Sequence, residues 1–410
     1  MCKASGKYRY NKSDAPNKYA WCNSSRYLLC SIFTITLIGI YTLGYCNPLI
    51  SKARILKKRI TSHSDSTKKG TPIFEWQLQA SAEAAEIPVG DVKSGLTYDH
   101  VIHLNGTFHT NAIGLKGGRI LASLVQITSG QPSANYIGDM QTASNISAQP
   151  SLRVYELSYT QDLPGRFVAA AGLIDMNKFF VRDDHASTLL NSSFGIGPDI
   201  SDNVPVSIYP KPGWGISFAK YFTHWKLQAS FFQNNPNRRS SINLRKNMAT
   251  FEADYKTDNG IGRRPLMLKG GIWHHTKAVS VPGTKPHADW GYYLIAQQSL
   301  YQSGSRSAGV FLQWGSCPVN HVEVPYYMGL GFLIDDPFHG RPQDQFSMGI
   351  AKAWVNRQLT DAETAYEVTY VFQAIHQISL QPDIQYIEHP SGMEKHYSIV
   401  CFLRLNLQID

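Results

Sequence analysis

The sequence is poor in cysteine, which argues against a fold held together by several disulfides or by a thiol-ligated metal. Only six of its 410 residues are Cys. Four of them fall within residues 1–46, and the other two, Cys317 and Cys401, lack the ligand spacing of a zinc site. A disulfide between these two remains open at this stage. The sequence therefore predicts neither a metal site nor a cofactor.

Charged residues are also scarce, and their distribution argues against a nucleic-acid partner. They make up 17% of the chain, with a formal net charge of +9. Thirteen Lys and Arg against two Asp give residues 1–69 a charge of +11, which leaves −2 on the rest. A phosphate-binding groove needs its basic excess in the folded part. Because the sequence also lacks a Gly-rich phosphate loop and a G-x-S-x-G turn, we predict that it is not an enzyme.

Long apolar runs are missing except for one near the N-terminus. Residues 27–46 are uncharged and largely apolar, and they follow a basic stretch, which is the arrangement of a secretory signal. We predict a signal peptide over 1–46, with an uncleaved anchor as the alternative. We interpret 47–90 as a linker with a short periplasmic helix, because 75–86 is rich in Ala, Glu and Gln without Gly or Pro.

The feature that dominates the rest of the chain is alternation of apolar and polar residues, which Val400 and Phe402 interrupt in the last run. Within 397–409, Leu403 and Leu405 belong to a wholly apolar row, whereas Arg404 and Asn406 belong to the opposite row. A period of two places these rows on opposite faces of a strand. One apolar and one polar face suit a wall with lipid outside and water inside. We therefore predict that 91–410 form an all-β, antiparallel up-and-down transmembrane β-barrel.

The number of such runs predicts the size of the barrel. Fifteen are recognisable, and single-chain bacterial barrels prefer even numbers, so we predict 16 strands, with the missing one at 135–148. Sixteen strands leave a water-filled lumen. The predicted strands lie near 98–110, 117–128, 151–161, 165–175, 213–222, 224–234, 249–257, 265–276, 288–300, 307–316, 324–334, 344–354, 365–375, 377–388 and 396–409.

Two blocks of this sequence resemble the carbohydrate-selective porins of the OprB type. One is AAAGLIDMNKFF at 169–180, and the other runs from Arg341-Pro342 to Pro390 and includes LQPDIQY at 380–386. The resemblance extends over about residues 90–409. It implies an outer-membrane channel for passive diffusion of sugars such as glucose. The matching residues of the first block are Gly172, Asp175, Asn177, Phe179 and Phe180.

Alternation and the resemblance together indicate which residues line the pore. A loop that folds inward after 165–175 would narrow the tube, although Asp and Asn at this place could equally cap a turn at the barrel rim. Sugars are neutral polyols, so their recognition needs hydrogen-bonding groups and flat aromatic faces. For each wall residue the alternative is a merely solvated position. The predicted pore-lining or substrate-binding residues are Glu156, Asp175, Asn177, Phe179, Phe180, Lys226, Glu252, Glu367, Asp383, Gln385 and Arg404.

Several functional alternatives remain open from the sequence alone. The leading prediction is a sugar-selective porin in the bacterial outer membrane. The others are a general porin, a barrel enzyme such as a lipase, and a secreted carbohydrate-binding β-protein. The leading prediction implies carbohydrate solutes, outer-membrane lipid and the barrel-assembly machinery as partners, with one or three barrels in the assembly. The chain ends in Asp410, whereas such barrels usually end in an aromatic residue.

Overall fold

The computed structural model describes residues 72–237, 239, 246–276, 288–319, 322–356, 362–394 and 396–410. The predicted signal peptide at 1–46 lies outside the described residues, as does most of the linker. No helix in the described part of the chain is long and apolar enough to cross a membrane.

Sixteen antiparallel strands form one closed barrel, as predicted. Each strand pairs with its neighbours in sequence, and the first pairs with the last, so the sheet has no free edge. The strands are β1 (Phe74–Val89), β2 (Gly95–His109), β3 (Gly118–Ser129), β4 (Ser151–Leu163), β5 (Phe167–Ile174), β6 (Gly213–Tyr221), β7 (Trp225–Gln233), β8 (Asn247–Thr257), β9 (Leu266–His275), β10 (Asp289–Ser303), β11 (Arg306–Ser316), β12 (Tyr326–Asp335), β13 (Gln345–Trp354), β14 (Ala362–Ile375), β15 (Ile378–Glu388) and β16 (Tyr397–Ile409).

The helix predicted at 75–86 is wrong, because this segment forms most of β1. It pairs along nearly its whole length with β2 on one side and β16 on the other. Its polar residues alternate with apolar ones, and pairing on both sides outweighs the helix propensity of Ala and Glu. The sixteenth strand is therefore β1. The strand predicted at 135–148 is wrong, because this part of the chain contains the helical turn Ser133–Ile137 and irregular chain.

Alternation sorts the side chains between the two faces of the wall as predicted. On β8 the outward Phe251 is 43% exposed, whereas the inward Glu252 beside it is 0% exposed. On β16 the outward Leu405 is 46% exposed and the inward Arg404 is buried. Cys401 belongs to the outward row and Cys317 follows β11, and no disulfide joins these two residues. The outer surface is thus apolar and the inner surface polar.

The two ends of the barrel differ in the length of their connections. One end, the short-turn end, carries tight turns such as 164–166 and 304–305 together with Phe74 and Ile409. The opposite end, the long-loop end, carries the two longest connections of the chain. These are 130–150, the minor loop, and 175–212, the inserted loop.

Both loops fold into the barrel and fill much of its interior. Phe180 and Ile200 of the inserted loop pack in one apolar cluster with Phe232 and Trp273 of the wall. A second cluster joins the minor loop to the inserted loop and to β11–β16. Burial of these side chains gives the loops a fixed position inside the tube. The interior is therefore a partly packed core, and what water can reach depends on where the loops lie.

Candidate functional site

The inserted loop begins at a bulge in the neighbouring strand. Tyr155 is an extra residue in β4, because Ser123 pairs with Glu156 while the next residue of β3 pairs with Val154. A bulge of this kind turns two consecutive side chains to the same face. Tyr155 and Glu156 are accordingly both buried inside the barrel. They form a platform on which the start of the inserted loop rests.

Asp175 connects this platform to the loop. Its carboxylate caps the turn Met176–Lys178 by accepting the backbone N–H of Asn177 at 2.9 Å, and it also accepts the hydroxyl of Tyr155. Its own N–H donates to Glu156 Oε1 at 3.0 Å. Burial raises the pKa of Asp175 to about 6 despite the bond from Tyr155. Asp175 thus caps a turn, as in the alternative considered from the sequence, and its side chain is buried; Asn177 supplies the backbone N–H that is capped.

Lys178 is the charged residue that this turn presents to water. Its ammonium group pairs with the Glu156 carboxylate and lies 5.8 Å from the centroid of the Tyr155 ring. The Lys178 side chain is 46% exposed, whereas that of Glu156 is only 2% exposed. The carboxylate therefore lies behind the cation. Of the pair, mainly the ammonium group is available to a solute.

Carboxylates of the wall hold the inserted loop through its backbone. Glu367 accepts the N–H groups of Leu190 and Asn191, the second at 3.0 Å. Glu252 accepts the N–H of Val181 at 2.9 Å. Backbone N–H groups of a loop inside a barrel lack strand partners, and a carboxylate satisfies them with strong hydrogen bonds. Both predicted pore residues are therefore fully buried beneath the loop.

The minor loop is also held by side chains of the wall, both acceptors and donors. Glu363 accepts the N–H groups of Met140 at 2.8 Å and Gln141 at 2.9 Å. The Arg404 guanidinium pairs with Glu83 at 2.7 Å and donates to the side chain of Asn145 at 2.9 Å. Gln385, another predicted residue, donates to the carbonyl of Ala143 at 2.7 Å.

The remaining predicted residues face the interior but occupy three different environments. Phe179 and Phe180 belong to the apolar cluster of the inserted loop, where Phe180 packs edge-to-face on Phe232. Asp383 is fully buried and accepts from Gln385 at 3.2 Å. Lys226 pairs with Asp254 at 3.7 Å on the neighbouring strand. The strand residues of the set thus face the interior of the barrel, and most of the set has little access to water.

A cavity of about 870 Å³ remains open between the inserted loop and the first strands. It runs from Glu75 and Asp410 at the short-turn end to His103, Tyr155 and Lys178. The His103 ring meets the Tyr155 ring edge-on, with centroids 5.1 Å apart. The cavity is also lined by the polar residues Gln77, Gln79, Asn105 and Thr107.

Sequence reasoning missed this lining almost entirely. Gln77 and Gln79 stand in the segment interpreted as a helix, and alternation in the predicted strand 98–110 would have marked His103 and Asn105 as inward-facing. No local signal identifies Tyr155, because its orientation depends on the bulge. Lys178 adjoins the matched pair Asp175 and Asn177, but only the folded loop shows that it faces water.

Comparison with known proteins agrees with this architecture. Residues 94–408 match the model of a protein family that is described as "Carbohydrate-selective porin, OprB family". Porin B of Pseudomonas aeruginosa is 26% identical over 133 residues, which is 26% of this chain and only 29% of that relative's own length.

Solved structures share the fold. The high-pH structure of Pseudomonas putida OprB superposes with a TM-score of 0.72 at 16% identity, over 82% of this chain and 94% of that one. The low-pH structure of the same protein gives a TM-score of 0.56 at 14% identity, over 82% and 92% of the two chains. The chain forms a closed barrel with internal loops, and the family model matches most of the chain. The chain therefore belongs to the OprB family of carbohydrate-selective porins.

Proposed function

We propose that this protein conducts sugars passively across the bacterial outer membrane, through the open side of its barrel next to β1–β4. The observation that carries the proposal is the cavity of about 870 Å³ that the inserted loop leaves along this side. Its size falls within the range of pockets that hold small ligands. Its lining combines amide and hydroxyl groups with the rings of His103 and Tyr155, which suits a polyol with a flat apolar face.

In this proposal, the predicted wall residues act mainly by holding the two internal loops in place. Glu156, Glu252, Glu367, Gln385 and Arg404 contact the two internal loops. We infer that they fix the width of the pathway, while Lys178, His103 and Tyr155 contact the solute. Contacts that are few and open to water keep sugar binding weak, which passage requires because the solute must also leave. The internal loops make a selective channel a better proposal than a general porin.

Replacing His103 by Leu is expected to weaken sugar block of the channel about threefold to tenfold, because one hydrogen bond is worth about 0.5–1.5 kcal/mol. The measurement is the half-saturation concentration of glucose in planar-bilayer conductance. His100 provides a matched control on the same strand, since it lies on the outward face and stacks on Tyr98. Equal block in the parent and His103→Leu would remove His103 from the pathway.

Orientation and assembly belong to the same proposal. We infer that the short-turn end faces the periplasm and the long-loop end faces outward, as short periplasmic turns and longer outer loops are usual in such barrels. Export by the leader 1–46, insertion by the barrel-assembly machinery and a state of one or three barrels remain predictions. A cysteine introduced at Glu394, on the long-loop end, is expected to react with an impermeant maleimide on intact cells, whereas one at Asp258 is not. The reverse labelling pattern would invert the orientation.

A further inference from the structure

The water-accessible charged residues on either side of Tyr155, Arg153 and Lys178, are of one sign. Lys178 stands on the inserted loop, and Arg153 lies two residues before Tyr155 on β4, on the same inward face. Both are at least partly exposed, whereas Glu156 and Asp175 beside them are buried. The carboxylates therefore lie behind the surface that a solute meets. At Glu156, the group exposed to water is the paired ammonium group of Lys178.

Arg153 and a second guanidinium lack acidic partners among the described residues. Arg153 donates to the hydroxyl of Ser151 at 3.1 Å and forms no ion pair there. Arg239 donates Nη1 to the carbonyl of Val154 at 2.7 Å, and its buried Nη2 has no hydrogen-bond partner in the described part of the chain. Burial, and after it the nearby charge of Arg153, lowers the pKa of Arg239. Two neighbouring guanidinium groups thus have no acidic partner within the described ranges.

These groups lie on the long-loop side of Tyr155. β4 begins at the long-loop end with Ser151, and Arg239 follows β7 at the same end. Below them, towards the short-turn end, come the rings of Tyr155 and His103 and then the cavity. Tyr209 of the inserted loop packs beside the same rings, 6.1 Å from that of Tyr155. Along β4, Arg153 therefore lies closer to the long-loop end than the Tyr155 ring does.

We propose that the channel prefers monosaccharides that carry a carboxylate, such as uronic acids, over neutral sugars of the same size. The carboxylate would pair with the guanidinium of Arg153, supported by Arg239, while the sugar ring reaches Tyr155 and His103. A planar guanidinium matches a carboxylate in charge and geometry. Exposure of Arg153 to water keeps the interaction weak enough for release. This inference rests on the proposed sugar pathway.

The test is planar-bilayer conductance of the whole protein, titrated with glucuronate and with glucose at low and high salt. Glucuronate is expected to reach half-block at a concentration about threefold to tenfold lower than glucose at low salt, with the difference shrinking at 1 M KCl through screening. Arg153→Gln is expected to bring the ratio of the two concentrations towards one, and Arg153→Lys to keep part of the preference. Arg263→Gln, on the short-turn connection 258–265, is the control and should leave the ratio unchanged.

The outcomes separate this inference from the proposed function. Equal block by glucuronate and glucose in the parent protein would overturn the preference for acidic sugars and leave the sugar pathway intact. If the preference for glucuronate survives in Arg153→Gln, the carboxylate binds elsewhere, and the assignment of its site to Arg153 is overturned. Conducting channels that neither sugar blocks would overturn both proposals together.

Discussion

Replacement of Leu403 by Arg is expected to destabilise the folded barrel in lipid by roughly 2–4 kcal/mol. Leu403 belongs to the outward row of β16, where it pairs with Ala84 on one side and Pro382 on the other. A guanidinium at this place would have to leave water for the hydrocarbon region, and no acidic residue stands at either paired position. The measurement is the urea dependence of unfolding from lipid vesicles.

Gln408→Arg is the matched control for this experiment. Gln408 lies on the same strand but in the inward row, and its side chain is exposed at the short-turn end beside Asp410. We expect a change within about 0.5 kcal/mol, as is usual for surface substitutions. If Leu403→Arg unfolds at the same urea concentration as Gln408→Arg, the assignment of faces on β16 is incorrect.

Replacement of Glu367 by Gln is expected to leave the barrel assembled but to release part of the inserted loop. The Glu367 carboxylate accepts two N–H groups, those of Leu190 and Asn191. An amide can accept only one of them and turns its own N–H₂ towards the other. Loss of one charged hydrogen bond and a buried unsatisfied donor cost about 1–3 kcal/mol. The cost falls on docking of the loop, because strand pairing in β14 does not involve this side chain.

Single-channel conductance and its fluctuations report on this release. We expect higher mean conductance, more open-channel noise and weaker sugar block in Glu367→Gln than in the parent. Glu388→Gln is the control, since Glu388 lies on the outward face of the adjacent strand, near the hydroxyl of Tyr366. Unaltered conductance and block in Glu367→Gln would mean that this contact does not set the width of the pathway.

The sequence by itself was sufficient for the barrel and for the faces of most strands. Alternation is a local property, and a residue such as Phe251 or Glu252 takes its face from its immediate neighbours. The two blocks that resemble OprB porins were likewise readable without coordinates, and the family is confirmed. Local propensity failed at β1, where pairing with two strands distant in sequence decided the structure of an Ala-rich segment.

Only the tertiary structure decided which inward residues meet water. Glu252 and Glu367 have the alternation of pore-lining groups, yet the inserted loop covers them because its N–H groups need acceptors inside the barrel. Tyr155 turns inward through a bulge that depends on register with β3. The sequence thus determined the wall, through a period of two, whereas the pathway was set by long-range contacts between a loop and that wall. Such contacts do not follow a repeating pattern of residues, so the sequence alone does not predict them.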